Sequence, residues 1–121
     1  MSSDPKKIVI ADDNHELCDI LKTILEGKGY KVDVVHEGFS LMAYLKEVQD
    51  VDAIILDLMM PEKGGITIIN TVRSISPASK LVIYTGYTNY RHSVLGKEAD
   101  AFVSKTANPK KLLKTLKNLL G

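Results

Sequence analysis

The sequence predicts a doubly wound α/β domain: five parallel strands with helices on both faces of the sheet. Three observations carry that prediction. Short apolar runs alternate with longer segments of helical periodicity, the pattern of repeated β-α units. Most of those runs are apolar at successive positions, as strands covered on both faces are. Two of them end in acid: Lys7–Ala11 leads straight into Asp12 and Asp13, and Ala53–Leu56 into Asp57. A length of 121 residues suits one domain, expected to span 1–121.

Lys7–Ala11 is the first strand. Leu17, Ile20, Leu21, Ile24 and Leu25 follow at helical spacing, and Gly27 and Gly29 stop that helix. Asp13 with Glu16 three residues on fits a capping box at its start. Lys31–Val35 reads as the second strand, with Val32 and Val34 facing one way. Leu41, Met42 and Leu45 mark a second helix, with Ser40 as its expected N-cap. Ala53–Leu56 is the third strand, and the loop 58–65 holds the turn formers Pro61, Gly64 and Gly65. Ile66, Ile69, Val72 and Arg73 suggest a third helix, closed by 74–77, and 80–84 is the fourth strand. A fourth helix over 86–100 is thinly anchored, because Val94 and Leu95 are its only aliphatic residues before Ala99. Ala101–Ser104 is a short fifth strand. Asn108 then caps a last helix with Pro109 at its first position, and Leu112, Leu113, Leu116, Leu119 and Leu120 form its apolar face.

Right-handed crossovers restrict the topology. The flavodoxin-like strand order 2-1-3-4-5 places strands one and three beside the switch point, where ligands bind in open α/β sheets. Asp12, Asp13 and Asp57 then lie side by side. Close carboxylates repel one another, and a hard divalent cation such as Mg²⁺ relieves that repulsion. Thr85 and Lys105 also stand at strand ends and join the same crevice. Three carboxylates, a hydroxyl and an ammonium suit phosphoryl transfer to a carboxylate, with aspartate as the nucleophile.

Composition excludes several classes. A net charge of +1 argues against whole-molecule attraction to nucleic acid or an anionic membrane. The lone Cys18 excludes an internal disulfide and fits a reducing compartment. The N-terminus has no apolar signal core and no segment is long enough to span a bilayer, so a cytoplasmic soluble protein is expected. His15, His36 and His92 have no metal-site spacing and read as surface. Lys110, Lys111, Lys114 and Lys117 form a run without acids, ordinarily a solvated face and otherwise a contact for an acidic partner.

The constellation resembles the receiver (CheY-like) domain of two-component response regulators. It does so in Asp12-Asp13, Asp57 with Met60-Pro61 and Gly65, Thr85, Phe102 and Lys105. The resemblance implies that Asp57 is the phosphoacceptor. It implies Mg²⁺ held by Asp13, Asp57 and the backbone carbonyl of Met59, with Asp12 acting through a bound water. Lys105 and Thr85 would bond the phosphoryl group, and Phe102 would turn inward as Thr85 moves. Met59, Gly86 and Tyr87 would flank the group. A sensor histidine kinase or phosphotransfer protein would be the donor. A downstream protein would read the face of the fourth predicted helix, the fifth strand and the last helix. No direct nucleic-acid contact is implied. The chain is expected to be a monomer or a phosphorylation-dependent dimer, and no enzyme beyond its own phosphoryl transfer and dephosphorylation.

Some positions depart from the family. Thr106 follows Lys105 where proline, often cis, is usual; a non-proline cis bond costs about 3 kcal/mol, so that loop is expected to differ. Phe102 replaces the commoner tyrosine, and Gly64 an aspartate. A haloacid-dehalogenase-type phosphatase would need an acid at Met59, and a P-loop nucleotidase a Gly-rich lysine motif that the sequence lacks. The nearest rival is a pseudo-receiver that binds partners without phosphorylation. Met59 and Tyr87 are bulky and carry no carboxylate or amide to orient water, so slow self-dephosphorylation is expected. Met59→Asn combined with Tyr87→Glu should clearly speed phosphoryl decay, followed by intact mass over time; an unchanged rate would refute this reading.

Overall fold

A computed structural model of the chain describes residues 4–58, 65–86, 98–105 and 108–121, without the side chains of 65–67. Five strands, β1 (Lys7–Ala11), β2 (Lys31–Val35), β3 (Ala53–Leu56), β4 (Lys80–Thr85) and β5 (Ala101–Ser104), pair in parallel in the order β2-β1-β3-β4-β5. The described helices are α1 (His15–Gly27), α2 (Gly38–Glu47), α3 (Gly65–Ile75) and α4 (Lys110–Leu120). The expected order and strand positions are borne out, with β4 one residue longer than its apolar run suggested. The helix expected over 86–100 falls mostly outside the described residues.

Alternation along the strands builds two cores. Val9, Ala11, Ile54, Leu56, Leu81 and Ile83 meet Leu41, Leu45, Ile68, Ile69 and Val72 of α2 and α3 on one face. Ile8, Ile10, Ala53, Ile55, Val82 and Tyr84 meet Cys18, Leu21 and Leu25 of α1 and Leu112 and Leu116 of α4 on the other. Double coverage explains why these strands read as continuous apolar runs.

The helix ends show where local rules hold. α1 closes in a Schellman motif: Gly29 adopts φ +95°, its N–H donates to Glu26 O, and the Tyr30 N–H donates to Leu25 O. The N-cap of α1 is Asn14, whose Oδ1 accepts from Leu17 N at 3.0 Å, so the capping box expected at Asp13 does not form. α2 starts at Gly38, capped by Glu37 without a side-chain bond, rather than at Ser40. Gly38 is itself buried, and that tertiary contact overrides the local cap preference. α4 begins at Lys110 with Pro109 at the cap, one residue later than expected, although Asn108 Oδ1 still accepts from Lys110 N at 2.9 Å.

Arg73 of α3 is more than a helix-face residue. Its guanidinium donates to Glu98 O at 3.1 Å and Ser79 O at 2.9 Å, and pairs with Asp100 Oδ2 at 2.9 Å. The same Asp100 oxygen accepts from Leu81 N at 2.7 Å. This network ties the start of β5 to β4 and α3.

Leu116 is fully buried between α4 and the sheet. Leu116→Ala should cost about 2–5 kcal/mol, seen as a lower urea midpoint with an unchanged slope. A loss within error would show that α4 is not docked as described.

Candidate functional site

The site is built where the sheet's ladder runs on past its strands. Asp12 N donates to Val35 O at 3.1 Å, and Asp57 N to Ala11 O at 3.0 Å, so the two aspartates stand side by side at the carboxyl ends of β1 and β3. Lys105 N donates to Thr85 O at 2.8 Å, which holds the residue after β5 beside the end of β4. Side-chain oxygens of Asp12, Asp13 and Asp57 lie within 4.8 Å of one another. Asp12 and Asp57 are buried and Asp13 is exposed, so the cluster is open on one side. Convergent carboxylate oxygens with an open approach fit a hard, oxygen-seeking dication of the Mg²⁺ type.

Among the described residues the cation facing these carboxylates is Lys105. Its Nζ lies 2.6 Å from Asp12 Oδ2 and 3.1 Å from Asp57 Oδ2. Burial pushes the Asp12 carboxyl above the usual carboxylate range, and the Lys105 ammonium and the Asn14 N–H only partly offset it. Burial alone would lower the Lys105 ammonium, but the Asp12 and Asp57 carboxylates outweigh it, and its pKa is raised. Lys105 is therefore charged at neutral pH, and one ammonium sits against two of the three clustered acids.

The backbone around Asp12 is held equally closely. Asn14 N donates to Asp12 Oδ1 at 2.9 Å, a local turn that fixes the carboxylate. The Asp12 carbonyl accepts from Cys18 Sγ at 3.4 Å and meets His36 Nδ1 at 2.9 Å. Burial, followed by the Asp12 charge, pushes the Cys18 thiol up to about 12, which makes it a poor nucleophile. His36 is half-buried, and its ring stacks on that of His15 with centroids 3.6 Å apart. The reading of both as plain surface histidines is thus corrected for His36. The sequence signal was its place directly after β2, next to Asp12 in the sheet, but the two are 24 residues apart in the chain. His92 is outside the described residues.

Thr85 is fully buried at the end of β4, beside Lys105. Phe102 is half-buried and packs against the α2–α3 core, so the ring is partly core. Gly86 is exposed, with open space where a Cβ would stand. Met59, Met60, Pro61, Gly64, Tyr87 and the residue after Lys105, Thr106, lie outside the described residues.

The sequence matches the response regulator receiver domain family over residues 8–117. The chain belongs to that family. It is the receiver domain of a two-component response regulator, a signalling domain. It is 33% identical over 116 residues to the transcriptional regulatory protein CpxR of Klebsiella pneumoniae, covering 94% of this chain and 49% of that protein. The receiver thus spans about half the length of the curated relatives it matches. The Thermotoga maritima response regulator TrrA, solved with Mg²⁺-BeF, superposes with a TM-score of 0.88 at 28% identity, covering 94% of this chain and 98% of that one. TrrA solved in complex with the histidine kinase ThkA gives a TM-score of 0.87 at 28% identity, over 96% and 99% of the two chains.

Asp13 adds an exposed negative charge to the cluster. In the presence of a chelator, Asp13→Asn should be at least as stable as the parent, because one repulsive charge is gone. Mg²⁺ at tenfold excess over Kd should stabilise the parent by about 1.4 kcal/mol and the variant by clearly less, read from thermal midpoints. Equal Mg²⁺ responses would remove Asp13 from the site.

Proposed function

We propose that this receiver is switched by phosphorylation of Asp57. The reading rests on one observation: Asp57 is buried beside Asp12 within reach of an ammonium, with an exposed carboxylate completing an open cluster. The donor is a phosphohistidine on a sensor kinase or phosphotransfer protein, as the TrrA–ThkA complex suggests. An Asp57 carboxylate oxygen attacks phosphorus; the P–O bond forms as the P–N bond of the phosphohistidine breaks. The released imidazole nitrogen takes a proton from solvent. The reaction demands positioning and charge stabilisation rather than covalent help from other groups.

Asp12, Asp13, Asp57 and the Met59 carbonyl would hold Mg²⁺, which supplies positive charge to the phosphoryl oxygens when bound. Lys105 exchanges a carboxylate partner for a phosphoryl oxygen. Thr85 donates its hydroxyl to another, and Phe102 follows it inward. The new set of contacts shifts the population between two conformations. The readout surface is β5 with α4 and the segment 86–100, and the target is a protein. We place the domain in the cytoplasm, consistent with a single reduced cysteine.

Intact mass after incubation with a small phosphodonor tests this. One phosphoryl adduct should form with Mg²⁺, not with chelator, and should be absent from Asp57→Ala. A folded wild-type chain that takes no adduct would favour a phosphorylation-independent interaction module instead.

A further inference from the structure

At the end of the sheet opposite Asp57, the structure carries a cavity of about 580 Å³ between the N-terminal segment, the turn after α1 and α4. That volume lies in the range of pockets for small organic ligands. Its apolar lining comes from Pro5, Tyr30 and Leu113. Four lysines, Lys6, Lys28, Lys114 and Lys117, line it, with Asp4 and Gly121 also on its wall. Two of these lysines belong to the acid-free run on α4.

A solvated lysine face needs no cavity beneath it. Here the charges ring an apolar hollow, and both features select the same chemistry. An apolar body would cover Leu113 and Tyr30, while an acidic group would pair with the ammonium rim. Tyr30 is half-buried, and its phenol hydroxyl is a further donor on the cavity wall. The Schellman turn at Gly29 fixes the wall that carries Lys28 and Tyr30. A neutral ligand would leave the rim unused, and a fully polar anion would leave the apolar lining exposed.

We propose that this cavity is a binding site for a small organic anion, an apolar ring system bearing one or two acidic groups. The site is remote from Asp57 and does not depend on its phosphorylation.

Anilinonaphthalene sulfonate, an apolar double ring with one anionic group, is a direct probe of the unmodified chain. Its fluorescence should rise to saturation with one site, weaken with added salt, and accompany a raised thermal midpoint, as binding to the native state requires. Lys28→Ala with Lys114→Ala should weaken binding about tenfold, while Lys46→Ala with Lys80→Ala, the same charge change elsewhere, should not. Uncharged phenylnaphthylamine should bind about tenfold more weakly than the sulfonate. Equal affinity for the neutral probe, an unchanged Kd in the Lys28/Lys114 variant, or a lowered thermal midpoint would overturn the site. A short peptide of glutamates around one phenylalanine that bound more tightly than the sulfonate would overturn the small-ligand assignment in favour of a peptide groove.

Discussion

The interaction on which the rest depends is the ammonium of Lys105 set between Asp12 and Asp57. Two buried carboxylates side by side stay charged most readily with positive charge close by. Lys105 supplies it, and three parts of the fold exist to deliver that charge. β5 must pair beside β4 so that Lys105 N can reach Thr85 O. β1 must sit against β3 so that the two acids are neighbours. α4 must pack beneath, because Leu112 and Leu116 complete the core on the same face. That strand order brings residues 12, 57 and 105 within one small volume.

Much of this was legible in the sequence because both the sheet and the site rest on simple local signals. A strand buried on both faces is apolar nearly throughout, so β1 and β3 were read at their observed bounds. Asp12, Asp57, Thr85 and Lys105 each fall at the carboxyl end of a strand, and in a parallel sheet all those ends lie along one edge. Asp12, Asp57, Thr85 and Lys105 were therefore identifiable as neighbours before any coordinates.

What escaped was contact between distant parts of the chain. Ser40 is a sound N-cap by local preference, but α2 starts at a buried Gly38, a choice made by packing. Asp13 and Asn14 are equally good caps in isolation; Asp12 takes the Asn14 N–H into its own turn, and Asn14 is left facing Leu17. His36 meets the Asp12 carbonyl only because β2 lies beside β1. Arg73 binds Glu98, Ser79 and Asp100, partners that no helical periodicity reveals.

The sheet separates two cores whose buried side chains belong to different helices. Residues facing α1 and α4 and residues facing α2 and α3 alternate along each central strand and do not share a packing volume. Substitutions on opposite sides should therefore combine almost independently. A lineage can remodel the α2–α3 side without disturbing the layer that backs Lys105. The domain is one fold with two compartments that can diverge at separate rates.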